Sequence, residues 1–236
     1  MISSVPKWVS TLFGDSMRPN VIVFQTHYIT AYIKRIRFQG DISKWNFHIG
    51  YASVIRVSES EFRNYTIEYH DKELGFFDII FHIHGNGVGS HYIDSLNIGD
   101  EIFIGPPRGK SLYVPSRKQY YIFGDETSLG LACTFLPVLK QNGHHFHFCF
   151  ELDDANKNVP KLLNLENYSV FAKTNLFNNE KWIDELSFFK TSGLMTTIFV
   201  LTGNARSVQT FRYMLKKNKG VEISSQGYWL AGKKGL

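Results

Sequence analysis

Along the first half of this chain, apolar and polar residues alternate in short runs separated by glycine and proline, the period expected of half-buried strands. From Val21 to Phe38 the chain is rich in β-formers, with alternation clearest from Tyr28 to Phe38, and Gly40-Asp41 marks a turn. Further strands are predicted over Ile49–Val57, through Arg63-Asn64-Tyr65-Thr66, and over Glu101–Ile104, where Gly105-Pro106-Pro107 closes the last one. Phe76 to Ile83 is a continuous apolar run, which predicts a well-buried strand. A single helical pattern interrupts them, Ser90 to Leu96. Some six short strands with one helix predict a small antiparallel β-barrel over residues 20–115. Ahead of it, Val5, Trp8, Val9, Leu12 and Phe13 stand near helical spacing until Pro19, so residues 1–19 read as a helical arm.

After Val114-Pro115-Ser116 the period changes. Strands are predicted over Gln119–Phe123, His145–Leu152, Tyr168–Ala172, Thr196–Leu201 and Val221–Trp229. Helices are predicted over Leu129–Gln141, Glu180–Phe189 and from Gly203-Asn204-Ala205-Arg206-Ser207 to about Lys217. A polar linker at 153–161 carries Pro160, read here as a helix breaker. Strands alternating with helices imply a parallel sheet with right-handed crossovers, so 116–236 reads as an α/β domain.

Composition narrows the function without naming it. The chain has 236 residues, 43% hydrophobic and 15% aromatic, enough for a real core, with no low-complexity tract. Its formal charge of +5 is mild and spread out, which suits anionic ligands and lacks the dense stripe of a nucleic-acid binder. No apolar run reaches membrane-spanning length and the N-terminus lacks a signal-peptide core. Cys133 and Cys149 form no Cys-x-x-Cys pair, which leaves iron–sulfur and zinc readings unsupported and fits free thiols in a reducing cytoplasm. His144-His145-Phe146-His147-Phe148-Cys149 would set His145, His147 and Cys149 on one strand face; no further motif completes a metal site, and surface histidines are the plainer account.

The richest chemistry lies between Arg63 and Ser90. Arg63 and Tyr65 share a strand face: a guanidinium that can grip a phosphate, and a ring that can pack along a flat conjugated group. His84-Gly85-Asn86-Gly87-Val88-Gly89-Ser90 is a glycine-rich turn into a helix, where unpaired N–H groups and the macrodipole favour an anion. Together they suggest a nucleotide cofactor with an aromatic head. The ordered set of Arg-x-Tyr-Thr, Phe77-Asp78 followed by His82-x-His84-Gly85, Gly87-x-Gly89-Ser90, Gly99-Asp100 and Gly105-Pro106-Pro107-Arg108-Gly109 resembles the siderophore-interacting proteins. These are FAD-dependent ferric-siderophore reductases of the ferredoxin–NADP reductase-like superfamily.

That resemblance implies a flavin barrel followed by a nicotinamide-binding α/β domain. It implies that Arg63 and Asn64 neighbour FAD, with Arg63 on a phosphate, and that Tyr65 flanks the isoalloxazine. Thr66 would lie near flavin N5, through its backbone or after a twist, because alternation turns its side chain away from Tyr65. His82 and His84 become FAD neighbours, and Gly87, Val88, Gly89 and Ser90 the pyrophosphate cradle. Gly124-Asp125-Glu126-Thr127-Ser128 resembles the family's nicotinamide-side turn, while the carboxylates of Asp125 and Glu126 alternatively serve as helix caps. Gly203-Asn204-Ala205 resembles a second family turn in which Asn204 replaces glutamate, and Arg206 either approaches a cofactor phosphate or, the plainer account, is a surface arginine in a first helical turn. Trp229, in Gly227-Tyr228-Trp229-Leu230-Ala231-Gly232, would cover the flavin or pack at the domain edge. Arg108, Lys110, Lys233 and Lys234 are candidates to attract an anionic ferric siderophore. The donor is expected to be NADH or NADPH. The rival expectations are a general NAD(P)H:flavin or ferredoxin-coupled reductase, and a non-enzymatic siderophore- or metal-binding module using the histidines of 144–149.

Overall fold

The computed structural model describes residues 18–186, 197–217 and 221–233. The predicted arm at 1–19, apart from its last two residues, the end of the helix expected to reach Phe189, and Lys234 lie outside the described residues. The described residues gather into two compact units, 18–111 and 112–233.

The first unit contains β1 (Val21–Thr30), β2 (Ile33–Gly40), β3 (Ala52–Arg56), β4 (Phe62–Asp71), β5 (Phe76–His82), α1 (Val88–Ser95) and β6 (Glu101–Ile102). Its six strands form one antiparallel sheet in the order β3-β4-β5-β2-β1-β6. The two ends meet: Ile104 bridges Ile55, and Arg108 and Ala52 exchange main-chain hydrogen bonds of 3.0 Å. The sheet is thereby a nearly closed barrel, which protects edge strands that would otherwise offer unpaired main-chain groups. Register sets the core: Ile36 faces Ile79 and Phe38 faces Phe77 across the ladder, and all four are fully buried. The predicted strand at 101–104 is shorter than expected, because the Asn20 side chain takes the main-chain N–H and carbonyl of Ile104, both at 2.9 Å, and Ile104 makes only a bridge. Likewise the strand expected from Ile49 begins at Ala52, after Gly50 turns with φ 95°.

The second unit contains β7 (Gln119–Gly124), α2 (Leu129–Gln141), β8 (His145–Leu152), α3 (Val159–Leu162), β9 (Tyr168–Ala172), α4 (Glu180–Glu185), β10 (Thr197–Asn204), α5 (Ala205–Lys216) and β11 (Glu222–Trp229). All five strands are parallel, in the order β11-β10-β7-β8-β9. The chain leaves central β7 in one direction to β8 and β9, then crosses back to β10 and β11. The strand order therefore reverses between β7 and β10, the place where such sheets open a crevice beyond their carboxyl ends. Phe123, Phe199 and Leu201 pack beneath Phe211 and Leu215 of α5. Pro160 does not break a helix as expected; it starts α3, where the missing N–H costs nothing.

Candidate functional site

Strand β4 pairs regularly with β3 from Phe62 to Thr66, setting Arg63 opposite Ile55 and Tyr65 opposite Ser53. Its irregularity falls later, between Ile67 and Tyr69. Arg63, Tyr65 and core residue Ile67 therefore share one face, while Asn64 and Thr66 point to the other. Ala52 spends both main-chain groups on Arg108, so those of its partner Thr66 are directed away from β3.

The loop into α1 turns through Gly85 (φ 72°) and Gly87 (φ 85°), conformations that side chains disfavour. Ser90 Oγ accepts from the Gly85 amide at 3.2 Å and His84 Nδ1 from the Asn86 amide at 3.3 Å, pinning the loop. No side chain caps the helix. Helical bonding opens with His91 N–H to the Gly87 carbonyl at 3.2 Å, so the amides of Val88, Gly89 and Ser90 stand ahead of that ladder. A Cβ on Gly89 would lie 2.9 Å from Arg63 Cγ and 3.0 Å from the Tyr65 hydroxyl. The helix start, the guanidinium stem and the phenol thus meet at a point that only glycine permits.

Arg63 is held by the Phe62 carbonyl at 2.8 Å and Glu61 Oε1 at 3.3 Å. The Tyr65 ring stands edge-on to Phe81 with centroids 4.7 Å apart, and burial pushes its phenol well above the ordinary range. His82 and His84 form a T-shaped pair, 5.7 Å between centroids, where β5 enters the loop. A cation, three amides at a helix start and a flat neutral ring make a donor set that fits a dinucleotide carrying a pyrophosphate and an aromatic head.

At the carboxyl ends of β7 and β10 the chemistry is different. Asp125 accepts from the Thr127 amide at 2.9 Å and its hydroxyl, from the Asn204 amide at 2.9 Å, and from Trp229 Nε1 at 2.7 Å. Ser128 Oγ bonds Thr202 Oγ1 at 2.9 Å, and Thr202 reaches the Phe123 carbonyl. The side chain of Glu126 has no exposed surface; it accepts from the Asp153 amide at 2.8 Å and Lys173 Nζ at 2.6 Å. Burial works against the Lys173 charge, but Glu126, Asp125 and Asp153 together outweigh it and raise its pKa. Asp125 accordingly caps the turn at Glu126–Ser128, as the sequence also allowed, whereas Glu126 ties separate strand ends together and half-buried Thr127 adjoins them. Trp229 is fixed by its indole N–H, with Lys173 5.6 Å from its ring.

Of the predicted basic residues, Arg108, Lys110 and Lys233 are exposed, and Arg108 serves barrel closure through its main chain. Arg206 is exposed at the start of α5, which Asn204 caps. The histidines of 144–149 do not converge: His144 bonds Tyr113 and His147 bonds Ser169, both at 2.9 Å, while His145 is exposed. Burial raises the pKa of the Cys149 thiol, and no ligand cluster forms there among the described residues. Two residues escaped the sequence reading, Lys34 and Lys173. A lysine in register with core residues Ile36 and Phe38 was the signal for the first; nothing local marked the second.

Residues 21–113 match the family described as the oxidoreductase FAD-binding domain. In sequence, the chain is 35% identical over 72 residues to NADH-cytochrome b5 reductase 1 of Dictyostelium discoideum, covering 30% of this chain and 25% of that protein. The match to the Meyerozyma guilliermondii protein of the same name is 33% over 73 residues, so the alignments span about a quarter of the curated relatives' length. In structure, the chain is similar to the siderophore-interacting protein SipS from Aeromonas hydrophila, with TM-score 0.73, 17% identity and coverage of 92% and 93%. It is similar also to a siderophore utilization protein from T. fusca, with TM-score 0.74, 19% identity and coverage of 93% and 97%. The fold is thus like that of these proteins, and the part of the chain that matches the oxidoreductase FAD-binding domain is the barrel unit.

Proposed function

We propose that this protein is a reductase that carries electrons from NADH or NADPH, through bound FAD, to a ferric siderophore, releasing Fe(II) for use in the cytoplasm. The observation that carries the reading is the meeting of Arg63, Tyr65 and the α1 start at Gly89. Arg63 and the amides of Val88, Gly89 and Ser90 would hold the pyrophosphate, and Tyr65 would lie along the isoalloxazine with its phenol neutral. Asn64, His82 and His84 would border the cofactor, and Thr66 would meet the ring edge through its main chain. When bound, FAD supplies the chemistry that converts a two-electron hydride donor into single electrons. No side chain has to move a proton at the iron, and none is assigned that task.

Thr127 and Ser128, on a turn braced by Asp125 and Glu126, would border the nicotinamide at the carboxyl edge of the parallel sheet. Trp229 would present its ring there from a fixed place. Exposed Arg108, Lys110 and Lys233 would draw in an anionic chelate, and Lys234 is proposed to act with them. Ferric siderophore as acceptor is favoured by the neighbours in fold, whose names include siderophore interaction and utilization. A second reading has its own support: the sequence relatives are NADH-cytochrome b5 reductases, which favours an electron-carrier protein as acceptor, ferredoxin included.

The test is a visible spectrum of purified protein under anaerobic conditions. Flavin absorbance should bleach with NADH or NADPH and return on adding a ferric siderophore. Return only with an electron-carrier protein would select the second reading. Absence of flavin even after adding FAD would overturn both.

A further inference from the structure

We propose that Lys34 is a positioning residue of the flavin cradle, setting from the C-terminal end of α1 where the first turn of that helix stands. The inference rests on the reading that this first turn carries the FAD pyrophosphate. Lys34 lies on β2 between Tyr28 and Phe81 of the flanking strands, and is 2% exposed. Its ammonium donates to the carbonyls of Ile93 at 3.0 Å, Asp94 at 2.8 Å and Leu96 at 2.9 Å. Three hydrogens thus meet three acceptors at the helix end, where carbonyls lack the usual partner one turn on; the Ile93 carbonyl also accepts from the Leu96 amide, at 3.4 Å.

The last turn of α1 contains no basic residue of its own, so the cation that complements the macrodipole comes from the barrel wall. Burial pulls the Lys34 pKa down, while Asp94 and Asp100 work the other way. A second tie joins the same end: the Tyr28 hydroxyl donates to the Asp94 carboxylate. The far end is where Gly89 closes on Arg63 and Tyr65 with no room for a methyl group. A helix of eight residues is about 12 Å long, so a tilt of about 10° at its C-terminus moves the first turn by about 2 Å. That displacement exceeds what a hydrogen bond tolerates. Lys34 therefore acts on the pyrophosphate through the orientation of a short rod, without touching it.

A lysine that merely stabilised the barrel would not distinguish one flavin from another. The full chain, freed of flavin, is titrated with FAD and with riboflavin, which lacks the pyrophosphate, following flavin fluorescence. Lys34→Met should weaken FAD by about tenfold while riboflavin changes by less than about twofold. Lys34→Gln keeps two donors and should give a smaller loss with the same selectivity, and it carries the test where the methionine variant does not fold. Equal losses for both flavins, or no loss for either, would overturn the proposal. A parent protein that binds FAD no better than riboflavin would instead overturn the pyrophosphate reading, and the two failures are told apart on that basis.

Discussion

Two glycines, Gly89 in the barrel and Gly203 in the parallel sheet, hold similar places in the chain and opposite kinds of chemistry. Each stands at a helix start, and each lets a charged side chain come closer than a Cβ would allow. At Gly89 the neighbour is the stem of Arg63, 2.9 Å from where that Cβ would lie. At Gly203, where φ is 96°, it is the carboxylate of Asp125, 2.6 Å away. The first arrangement sets amides beside a cation that meets one carboxylate, Glu61, through a single contact of 3.3 Å. The second supplies its own anion, which the Thr127, Asn204 and Trp229 donors already occupy. A glycine-rich turn into a helix is therefore not in itself a phosphate site. What differs is how fully a carboxylate of the protein engages the local donors, three main-chain and indole donors at Asp125 against one long contact between Glu61 and Arg63.

The contrast can be broken at either end. The largest effect is expected from Lys173→Met, which leaves the carboxylate of Glu126 buried without its cation. Chemical denaturation should show a loss of about 3 kcal/mol with FAD affinity retained. An unchanged midpoint would mean that Glu126 is not charged in the folded protein. Next comes Arg63→Ala, where the loss should appear in the cofactor instead. FAD binding should weaken by about 30-fold, roughly 2 kcal/mol, with little change in the stability of the flavin-free chain. Full flavin occupancy after dialysis would sink the phosphate assignment. The smallest is Asp125→Asn, since the amide still accepts some of the same bonds. A loss of about 1 kcal/mol is expected together with a shift in tryptophan fluorescence, as Trp229 loses its charged acceptor. Stability lost without any change in fluorescence would place Trp229 outside that network.

Much of this architecture was legible from period and punctuation. The β-rich stretch from Val21 to Phe38 became the paired strands β1 and β2, though the turn between them, at Ala31-Tyr32, falls inside the clearest alternation. The apolar run at Phe76 became β5, buried between β4 and β2. The change of period after Pro115 became a five-stranded parallel sheet. Boundaries were less legible, because the turn at Gly50 and the hold of the Asn20 side chain on the Ile104 main chain end ladders in ways that hydrophobic pattern does not register. Alternation also foretold that Thr66 faces away from Tyr65, and the regular ladder from Phe62 to Thr66 agrees.

By itself, then, the sequence determined the two architectures and the nature of the groups near the cradle: a guanidinium, a phenol and a helix start behind glycines. Those are properties of residue type and short-range spacing, which propensity and periodicity read directly. Only the tertiary structure decided which charged groups remain available to a ligand. Asp125 and Glu126 looked like site residues in their turn, yet their partners Asn204, Trp229, Asp153 and Lys173 arrive from distant strands. Lys34 looked like one more basic residue on a strand until α1 folded its last carbonyls onto it. The physical reason is the same in each case: a buried charge is defined by the acceptors or donors that surround it, and those are brought together by topology.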